Sequence, residues 1–298
     1  MSRVRIGTRG SALALWQAEH VRARLEALGH EVTFRVITTT GDLTQDRRLE
    51  SVGGKGAFLK EIEEALVARE VDLAVHSLKD VPTALPPGLL LSAILERADP
   101  RDALISSGPR LAELRAGASV GTTSLRRRAL VGSLRPDVTL QDLRGNVDTR
   151  LRRLREGRFD AILLAMAGLA RLGRAEEVTE ALDPRRFVPA PGQGAIALEC
   201  REDDQVLRDA IGPLHHAATA RAVAAERAFL AAFGGGCNVP LGAHAFASGS
   251  GLELAAFVAA PDGRAMLRAE RHGDDPLALG GAVADELLTQ GARALIGG

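Results

Sequence analysis

The sequence predicts an α/β protein with two lobes built on parallel sheets and a small α+β domain at the C-terminal end. Up to about residue 200, short apolar runs alternate with amphipathic helical patterns, as in parallel sheets covered on both faces. From His215 onward the pattern changes to one long helix, three strand-like runs and a last helix. The segment Pro261-Asp262-Gly263 separates two of these runs and is a strong hairpin signal.

The individual elements follow from apolar periodicity and from helix start and stop signals. The predicted strands are Val4–Thr8, Val32–Ile37, Val71–Val75, Leu89–Ile94, Ala103–Ile105, Ser119–Val120, Val138–Leu140, Ala161–Leu164, Ala195–Leu198, Gly242–Phe246, Leu252–Ala259 and Ala265–Arg271. The predicted helices are Ala12–Leu28, Ala57–Ala68, Leu125–Leu134, Val147–Glu156, Ala165–Leu172, His215–Phe233 and Leu277–Gln290.

Two crossings, Leu95–Asp102 and Val188–Gly194, contain proline and predict paired hinges between the lobes. We therefore expect lobe one to comprise residues 1–96 with 193–213, lobe two residues 97–192, and the α+β domain residues 214–298. A chain of 298 residues is long enough for two or three such domains.

Both lobes open with a strand followed by hydroxyl residues at a helix start, Ser11 in one and Thr122 to Ser124 in the other. The free backbone N–H groups at a helix N-terminus bind anions. The hypothesis is that the lobes face each other across a cleft, each contributing one such anion site.

Composition excludes several classes of protein. The 38 basic and 38 acidic residues balance, and the chain has no Tyr and one Trp, which argues against nucleic-acid binding. No apolar run approaches the roughly 20 residues that span a bilayer, and no signal peptide is visible. We expect a cytoplasmic monomer that acts on a small molecule, with neither nucleic acid nor membrane as a partner.

Arginine is concentrated in one region. Between Thr122 and Arg158 there are ten Arg against four acidic residues. Guanidinium groups suit carboxylates and phosphates because they bind them bidentately. Arg126 and Arg127, which lie nearest a helix start, are predicted to bind an anionic ligand. For the arginine-rich segment as a whole, a solvated basic face remains the alternative. Arg150 and Arg153 are predicted to share one helix face.

Lys79 and Asp80 follow the apolar strand Val71–Val75. Ligands of open α/β sheets bind outside the carboxyl ends of strands, so a role in the cleft is favoured over a surface ion pair. A carboxylate there could stabilise a cation and transfer a proton. The long segment Gly41–Gly56, with little periodicity, is predicted to be a mobile lid.

The two cysteines have different surroundings. Cys200 lies in an apolar run and is predicted to be buried. Cys237 follows three glycines and precedes Pro240 and Gly242, so it lies on a turn where its thiol is reachable. His215 and His216 have no companion at metal-ligand spacing, so we expect no metal site and interpret them as helix-cap or surface residues.

Taken together, these segments resemble the porphobilinogen deaminase (hydroxymethylbilane synthase) family. The ordered matching segments cover essentially the whole chain: Thr8–Ser11 with Leu13–Gln17, Val52–Gly56, His76–Pro82, Gly121–Arg127, Leu143–Leu151, Pro191–Ala195 and Gly235–Gly242. The fold this implies is two doubly wound, periplasmic-binding-protein-like lobes around a cleft, plus a C-terminal α+β domain with an antiparallel sheet.

The resemblance implies a transferase that deaminates and polymerises four porphobilinogen molecules head to tail. Cys237 would carry a covalent dipyrromethane primer through a thioether, and Asp80 would be the catalytic carboxylate that stabilises the azafulvene cation as ammonia departs. Phe58 could pack on a ring or belong to the core. The residues implied to bind cofactor and substrate are Arg9, Ser11, Gln17, Lys55, Ser77, Lys79, Thr122, Ser124, Arg126, Arg127, Arg144, Arg150 and Arg171.

Two other classes share part of this pattern. A two-lobed binding protein for a small polyanionic ligand would have the lobes and the anion-binding turns, but it would need an export signal and no Cys237 domain. A cysteine hydrolase would explain Cys237, but the sequence offers no positioned histidine base.

Overall fold

The computed structural model describes residues 3–40, 59–235 and 239–296. The chain divides into two compact units. Unit 1 consists of Met1–Ala98 and Ala195–Arg221, and unit 2 of Asp99–Gly194 and Ala222–Gly298.

The elements are numbered in chain order over the described residues. The strands are β1 (Arg3–Thr8), β2 (Glu31–Val36), β3 (Leu73–Ser77), β4 (Leu89–Ile94), β5 (Asp102–Ser106), β6 (Ser119–Gly121), β7 (Thr139–Gln141), β8 (Ala161–Ala165), β9 (Glu180–Ala181), β10 (Ile196–Arg201), β11 (Leu241–Ser248), β12 (Gly251–Ala259) and β13 (Met266–Gly273). The α-helices are α1 (Ala12–Ala27), α2 (Lys60–Val67), α3 (Leu125–Leu134), α4 (Val147–Arg155), α5 (Met166–Arg171), α6 (Gln205–Ile211), α7 (Ala217–Ala232), α8 (Pro276–Thr289) and α9 (Ala292–Ile296).

Unit 1 is built on a five-stranded sheet in the order β2-β1-β3-β10-β4. β1 runs parallel to β2 and β3, whereas β10 runs antiparallel to both of its neighbours. Leu25 of α1 packs with Leu198 on one face, and Leu66 of α2 packs with Ala74 on the other. Helices therefore cover both faces, as predicted.

Unit 2 contains a second five-stranded sheet, in the order β7-β6-β8-β5-β9. β6 is parallel to β7 and β8, and β5 is antiparallel to β8 and β9. The prediction of parallel sheets thus holds for three strands of each sheet and is wrong for β10 and β5, which run antiparallel to their neighbours. An apolar run shows that a strand is buried but does not show its direction.

The third sheet, β11-β12-β13, is antiparallel and belongs to unit 2. α8 and α7 cover it, with Val283 and Phe229 in the same core as Leu254. The predicted hairpin turn joins β12 to β13 and has Gly263 at φ 74°. A Cβ on Gly263 would lie 2.2 Å from the backbone oxygen of Ala129 in α3, so only glycine fits there.

The predicted fold class, two sheet-and-helix lobes with a C-terminal antiparallel domain, is confirmed. The sequence missed the short helix α6, although Asp204 caps it by accepting the Leu207 N–H at 3.1 Å. It also missed β9, two residues at a sheet edge. The predicted lid Gly41–Gly56, with Lys55, and also Phe58 and Cys237 lie outside the described residues. None of the helices in the described ranges is long and apolar enough to cross a membrane.

Candidate active site

The turn after β1 begins α1 in the way its sequence predicts. Ser11 is the N-cap, and its hydroxyl accepts a hydrogen bond from Ala14 N–H at 3.3 Å. Arg9 is half-buried on the turn itself. One turn into the helix, Gln17 is only 2% exposed and donates from Nε2 to Ser77 Oγ at 2.8 Å. This bond joins α1 to the end of β3, so two predicted site residues of unit 1 are in direct contact.

The end of β3 leads directly into a short 3₁₀ helix, Leu78–Asp80. Leu78 is buried and anchors this turn. Lys79 is half-buried and Asp80 is exposed. The turn thus presents the Asp80 carboxylate to solvent, outside the carboxyl end of β3, which is where ligands of open α/β sheets bind.

A buried pair of polar side chains, His76 and Glu199, joins the adjacent strands β3 and β10 of the same sheet. His76 Nε2 is 2.8 Å from Oε2 of Glu199, which is fully buried on β10. The other carboxylate oxygen of Glu199 has no hydrogen-bond partner among the residues that the structure describes. Burial first, and the charge of Glu199 second, raise the pKa of Glu63 on α2. The sequence alone did not identify Glu199, because nothing in a strand pattern marks a buried carboxylate.

In unit 2, Ser124 caps α3 by accepting the Arg127 N–H at 3.4 Å. Thr122 is 2% exposed, and its hydroxyl accepts the Ser124 N–H at 3.2 Å. The predicted hydroxyl-rich helix start is therefore present, and its hydroxyls satisfy the first backbone donors of the helix.

Arg126 and Arg127 are buried around one carboxylate. Asp102, which is fully buried, accepts from Arg126 Nη1 at 2.7 Å and Nη2 at 3.1 Å. It also accepts from Arg127 Nε at 2.9 Å and Nη2 at 2.7 Å. Gln193 adds a fifth bond to Asp102, from Nε2 at 3.2 Å. Arg128, the next residue along α3, is half-buried.

The electrostatics of this cluster follow from its burial. Burial alone would raise the pKa of Asp102, but the charges and hydrogen bonds of Arg126 and Arg127 hold it well below its usual range. Burial, and then the charge of Arg126, lower the pKa of Arg127 against the opposing effect of Asp102. Two guanidinium groups and one carboxylate leave one net positive charge, which favours an anionic ligand.

Two more predicted site residues, Arg144 and Arg150, lie at the turn before α4 and in its first turn. Arg150 donates from Nε to the carbonyl of Gly145 at 2.7 Å, and Arg153 donates to the carbonyl of Arg144 at 3.3 Å. The predicted shared helix face is thus confirmed. Arg144 and Arg150 are both half-buried.

Arg171 ends α5, and its Nη2 donates to the carbonyl of Gly194 at 2.7 Å. Burial lowers the pKa of Arg171 to about 10, which still leaves the guanidinium charged at neutral pH.

Asp102 and Gln193 are the residues that sequence reasoning missed in unit 2. Asp102 starts the apolar strand β5, and an acid directly before such a run was the available signal. Gln193 belongs to the quoted segment Pro191–Ala195, but its side chain was given no role. Its Nε2 also donates to the carbonyl of Pro100 at 2.7 Å.

Comparison with known proteins identifies the same family that the sequence resembles. The model described as "Porphobilinogen deaminase, dipyromethane cofactor binding domain" matches residues 4–209, and "Porphobilinogen deaminase, C-terminal domain" matches residues 220–289. A porphobilinogen deaminase of Roseiflexus sp. (strain RS-1) is 53% identical over 98% of this chain and 98% of its own. The porphobilinogen deaminase of Syntrophobacter fumaroxidans is 51% identical over 98% of this chain and 96% of its own.

Among solved structures, a periplasmic substrate-binding protein of an ABC transporter from Coxiella burnetii covers 73% of this chain and 94% of its own. It has a TM-score of 0.44 and 16% identity. The methionine binding protein MetQ has the same TM-score and 13% identity, and the match covers 70% of this chain and 85% of its own. The matches to the two family models and to the full-length relatives are decisive: the chain belongs to the porphobilinogen deaminase family.

Proposed function

We propose that the chain is a hydroxymethylbilane synthase, a transferase that deaminates four porphobilinogen molecules and joins them head to tail into the linear tetrapyrrole hydroxymethylbilane. The observation that carries this proposal is the 53% identity to a porphobilinogen deaminase over 98% of both chains. The likeness to binding proteins, at a TM-score of 0.44, extends to the fold alone, so a binding protein for a small polyanion is the weaker alternative.

The residues present suit a ligand with many carboxylates. Porphobilinogen brings two carboxylates per pyrrole, and a growing chain accumulates them. The cluster of Arg126, Arg127 and Asp102 has a net positive charge, and Arg144 and Arg150 add two more guanidinium groups on one turn. Because Asp102 and backbone carbonyls fix the orientation of the Arg126, Arg127 and Arg150 guanidinium groups, these groups need little reorganisation when a carboxylate binds.

The residues proposed to bind cofactor and substrate are those that the family resemblance implied. In unit 1 they are Arg9, Ser11, Gln17, Lys55, Ser77 and Lys79, and in unit 2 they are Thr122, Ser124, Arg126, Arg127, Arg144, Arg150 and Arg171. The proposed domains keep the boundaries 1–96 with 193–213, 97–192 and 214–298, and we propose a cytoplasmic monomer.

We propose that Cys237 holds dipyrromethane through a thioether. On attachment, the S–H bond of the thiol and the C–N bond of a porphobilinogen unit would break, an S–C bond would form, and the amino group would leave with the proton as ammonia. When bound, this group supplies the pyrrole end to which substrate units are added. Its carboxylates fit the same guanidinium groups that bind substrate.

Asp80 has a separate role in this proposal. Its exposed carboxylate accepts pyrrole N–H hydrogen bonds and stabilises the cation that develops on porphobilinogen as ammonia leaves. Burial of Leu78 holds the turn that carries it. Lys79, the residue before Asp80, has an ammonium group that can bind a substrate carboxylate.

The intact mass of the purified protein tests this function. We expect a mass above that of the polypeptide by two linked pyrrole units, colour with Ehrlich's reagent, and release of a linear tetrapyrrole from porphobilinogen. A bare polypeptide mass without colour, together with binding but no consumption of porphobilinogen, would instead establish the binding-protein alternative.

A further inference from the structure

Helix α4 carries four arginines, and two of them turn to the surface. Arg152 and Arg155 are exposed, and they pair with Glu156 at 3.0 Å and with Glu177 at 2.6 Å. Exposed ion pairs of this kind are typical of a solvated helix face. These two arginines therefore belong to the solvated basic face that was the alternative for this segment.

The other two arginines of α4, Arg150 and Arg153, reach back to the turn before the helix. They lie three residues apart, and helical side chains lean towards the N-terminus of their helix. Arg150 Nε donates to the carbonyl of Gly145 at 2.7 Å. The half-buried Arg153 donates from Nη1 to the carbonyl of Arg144 at 3.3 Å, nine residues earlier in the chain. The proposed reaction assigns roles to Arg144 and Arg150 but none to Arg153.

A side chain from another element binds the same turn. Thr123, directly before the N-cap of α3, donates from Oγ1 to the carbonyl of Leu143 at 3.4 Å. The carbonyls of three consecutive residues, 143 to 145, thus each accept a hydrogen bond from a side chain. Three such bonds in succession leave the peptide groups of this turn little freedom to rotate.

The turn also has little room for another conformation. Gly145 has φ 103°, in the left-handed region, and a Cβ there would lie 2.8 Å from Cγ2 of Thr149. Asn146 then caps α4 by accepting the Thr149 N–H at 2.9 Å. Arg144 directly precedes Gly145, so the conformation of the turn sets the direction in which its side chain leaves the backbone.

We propose that Arg153 is a positioning residue for Arg144. This inference rests on the proposed function, which makes Arg144 a ligand of substrate carboxylates. By holding the Arg144 carbonyl, Arg153 fixes the backbone from which the Arg144 guanidinium extends. Arg144 then loses less conformational entropy when a carboxylate binds. Thr123 acts in the same way on the adjoining peptide group, and both residues act through Arg144.

Steady-state kinetics of the full-length holoprotein with porphobilinogen test this role. Arg153→Gln should raise KM about threefold to tenfold and leave kcat within about twofold, because a loosened carboxylate ligand weakens ground state and transition state alike. Thr123→Val removes a donor without changing the charge and should show the same pattern. Arg153→Lys keeps a donor and should recover most of the loss. Arg152→Gln, at the exposed neighbour of Arg153, is the matched control and should keep the parent KM.

A double-mutant cycle with Arg144→Gln identifies the residue through which Arg153 acts. When Arg144 is already Gln, Arg153→Gln should change kcat/KM by less than about twofold, since nothing is left to position. A further threefold to tenfold loss would show that Arg153 binds substrate itself, and it would overturn the proposal. A parent-like KM in Arg153→Gln, a loss confined to kcat, or an equal rise of KM in Arg152→Gln would also overturn it.

A measurement without turnover separates this proposal from the proposed reaction. Backbone ¹⁵N relaxation gives the order parameters of Arg144 and Gly145. They should be about 0.85, typical of rigid backbone, in the parent and in Arg152→Gln, and should fall towards about 0.6 in Arg153→Gln. Unchanged values in Arg153→Gln would overturn the positioning role even in an active enzyme. A parent chain that does not consume porphobilinogen would overturn the reaction, and the order parameters would still show whether Arg153 holds the turn.

Discussion

The carboxylate of Asp102 accepts two hydrogen bonds from the guanidinium of Arg126, at 2.7 and 3.1 Å, in a region where Asp102 is fully buried. Asp102 starts β5 and Arg126 lies in the first turn of α3. The pair therefore holds the start of α3 against the start of β5, and Arg127 binds the same carboxylate.

Replacing Asp102 with Asn should destabilise the protein strongly. The substitution keeps the size of the side chain but leaves the guanidinium groups of Arg126 and Arg127 buried without a countercharge. Breaking a buried ion pair in this way costs about 3–5 kcal/mol. The free energy of unfolding in urea, measured by circular dichroism, gives the loss. Asp137→Asn, which replaces an exposed carboxylate paired with the half-buried Arg135, is the control and should cost much less. Equal effects of the two substitutions would contradict the proposed role of the cluster.

The stabilisation by Asp102 should depend on pH in a defined direction. Its pKa is held below the unfolded value, so the unfolded state takes up a proton first as the pH falls. The stabilisation is thus fully present above about pH 4 and is lost below it, by about 1.4 kcal/mol per pH unit. The gap in unfolding free energy between the parent chain and Asp102→Asn should narrow from pH 5 to pH 3. A gap that stays constant over this range would show that the pKa of Asp102 is the same in the folded and unfolded states, and a gap that widens as the pH falls would show that its pKa is raised on folding.

Thiol counting tests the covalent attachment at Cys237. Cys200 is fully buried, and burial raises the pKa of its thiol, so it should not react in the folded protein. If Cys237 is alkylated, a disulfide reagent should find no thiol in the native protein and one after denaturation. Two thiols after denaturation would rule out a thioether. Cys237→Ala should lose the added mass, and Cys200→Ala, the matched control, should keep it.

Asp80→Ala should abolish turnover without unfolding the protein. The side chain is exposed, so its loss leaves no cavity. Removing a group that stabilises charge and moves a proton lowers rates by about 10²–10⁴-fold. Porphobilinogen consumption and thermal unfolding should be measured on the same preparations. Asp209→Asn, at another exposed carboxylate of unit 1, should retain the parent rate. Turnover near the parent value in Asp80→Ala would refute its assigned role.

Glu226 on α7 offers a test of stability away from the arginines. It is fully buried and accepts the backbone N–H groups of Gly192 at 2.7 Å and Ala245 at 2.9 Å, with His244 Nδ1 at 3.1 Å. Glu226→Ala should cost about 1–3 kcal/mol for each backbone N–H left without an acceptor. Glu226→Gln keeps one acceptor oxygen, so its free energy of unfolding should lie between those of the parent chain and Glu226→Ala.

The control for Glu226 is an exposed carboxylate with an ion pair. Glu286→Gln removes the charge that faces Arg271 on the surface and should cost less than about 1 kcal/mol. Urea unfolding at pH 7 measures the free energy of unfolding of each of the three variants and so gives the order of their stabilities. If Glu226→Ala is no more destabilising than Glu286→Gln, the buried hydrogen bonds do not hold the Gly192 turn.

The sequence by itself determined most of the strands and helices, though not α6 or β9, and it located the helix starts at Ser11 and Ser124. Ser11 and Ser124 cap helices because a short hydroxyl side chain before an apolar stripe satisfies the first N–H groups, and this signal is local. The hairpin at Gly263 and the burial of Cys200 are equally local. The ordered motifs were also sufficient to indicate the family.

Only the tertiary structure decided strand direction and the partners of buried charges. β10 and β5 run antiparallel to their neighbours, and an apolar run carries no information on direction. Asp102 is 24 residues from Arg126, and His76 is 123 residues from Glu199. A charge is buried only with its partner, and that partner is brought near by the fold rather than by the chain. The sequence therefore indicated which arginines matter, and the fold decided which carboxylate fixes their orientation.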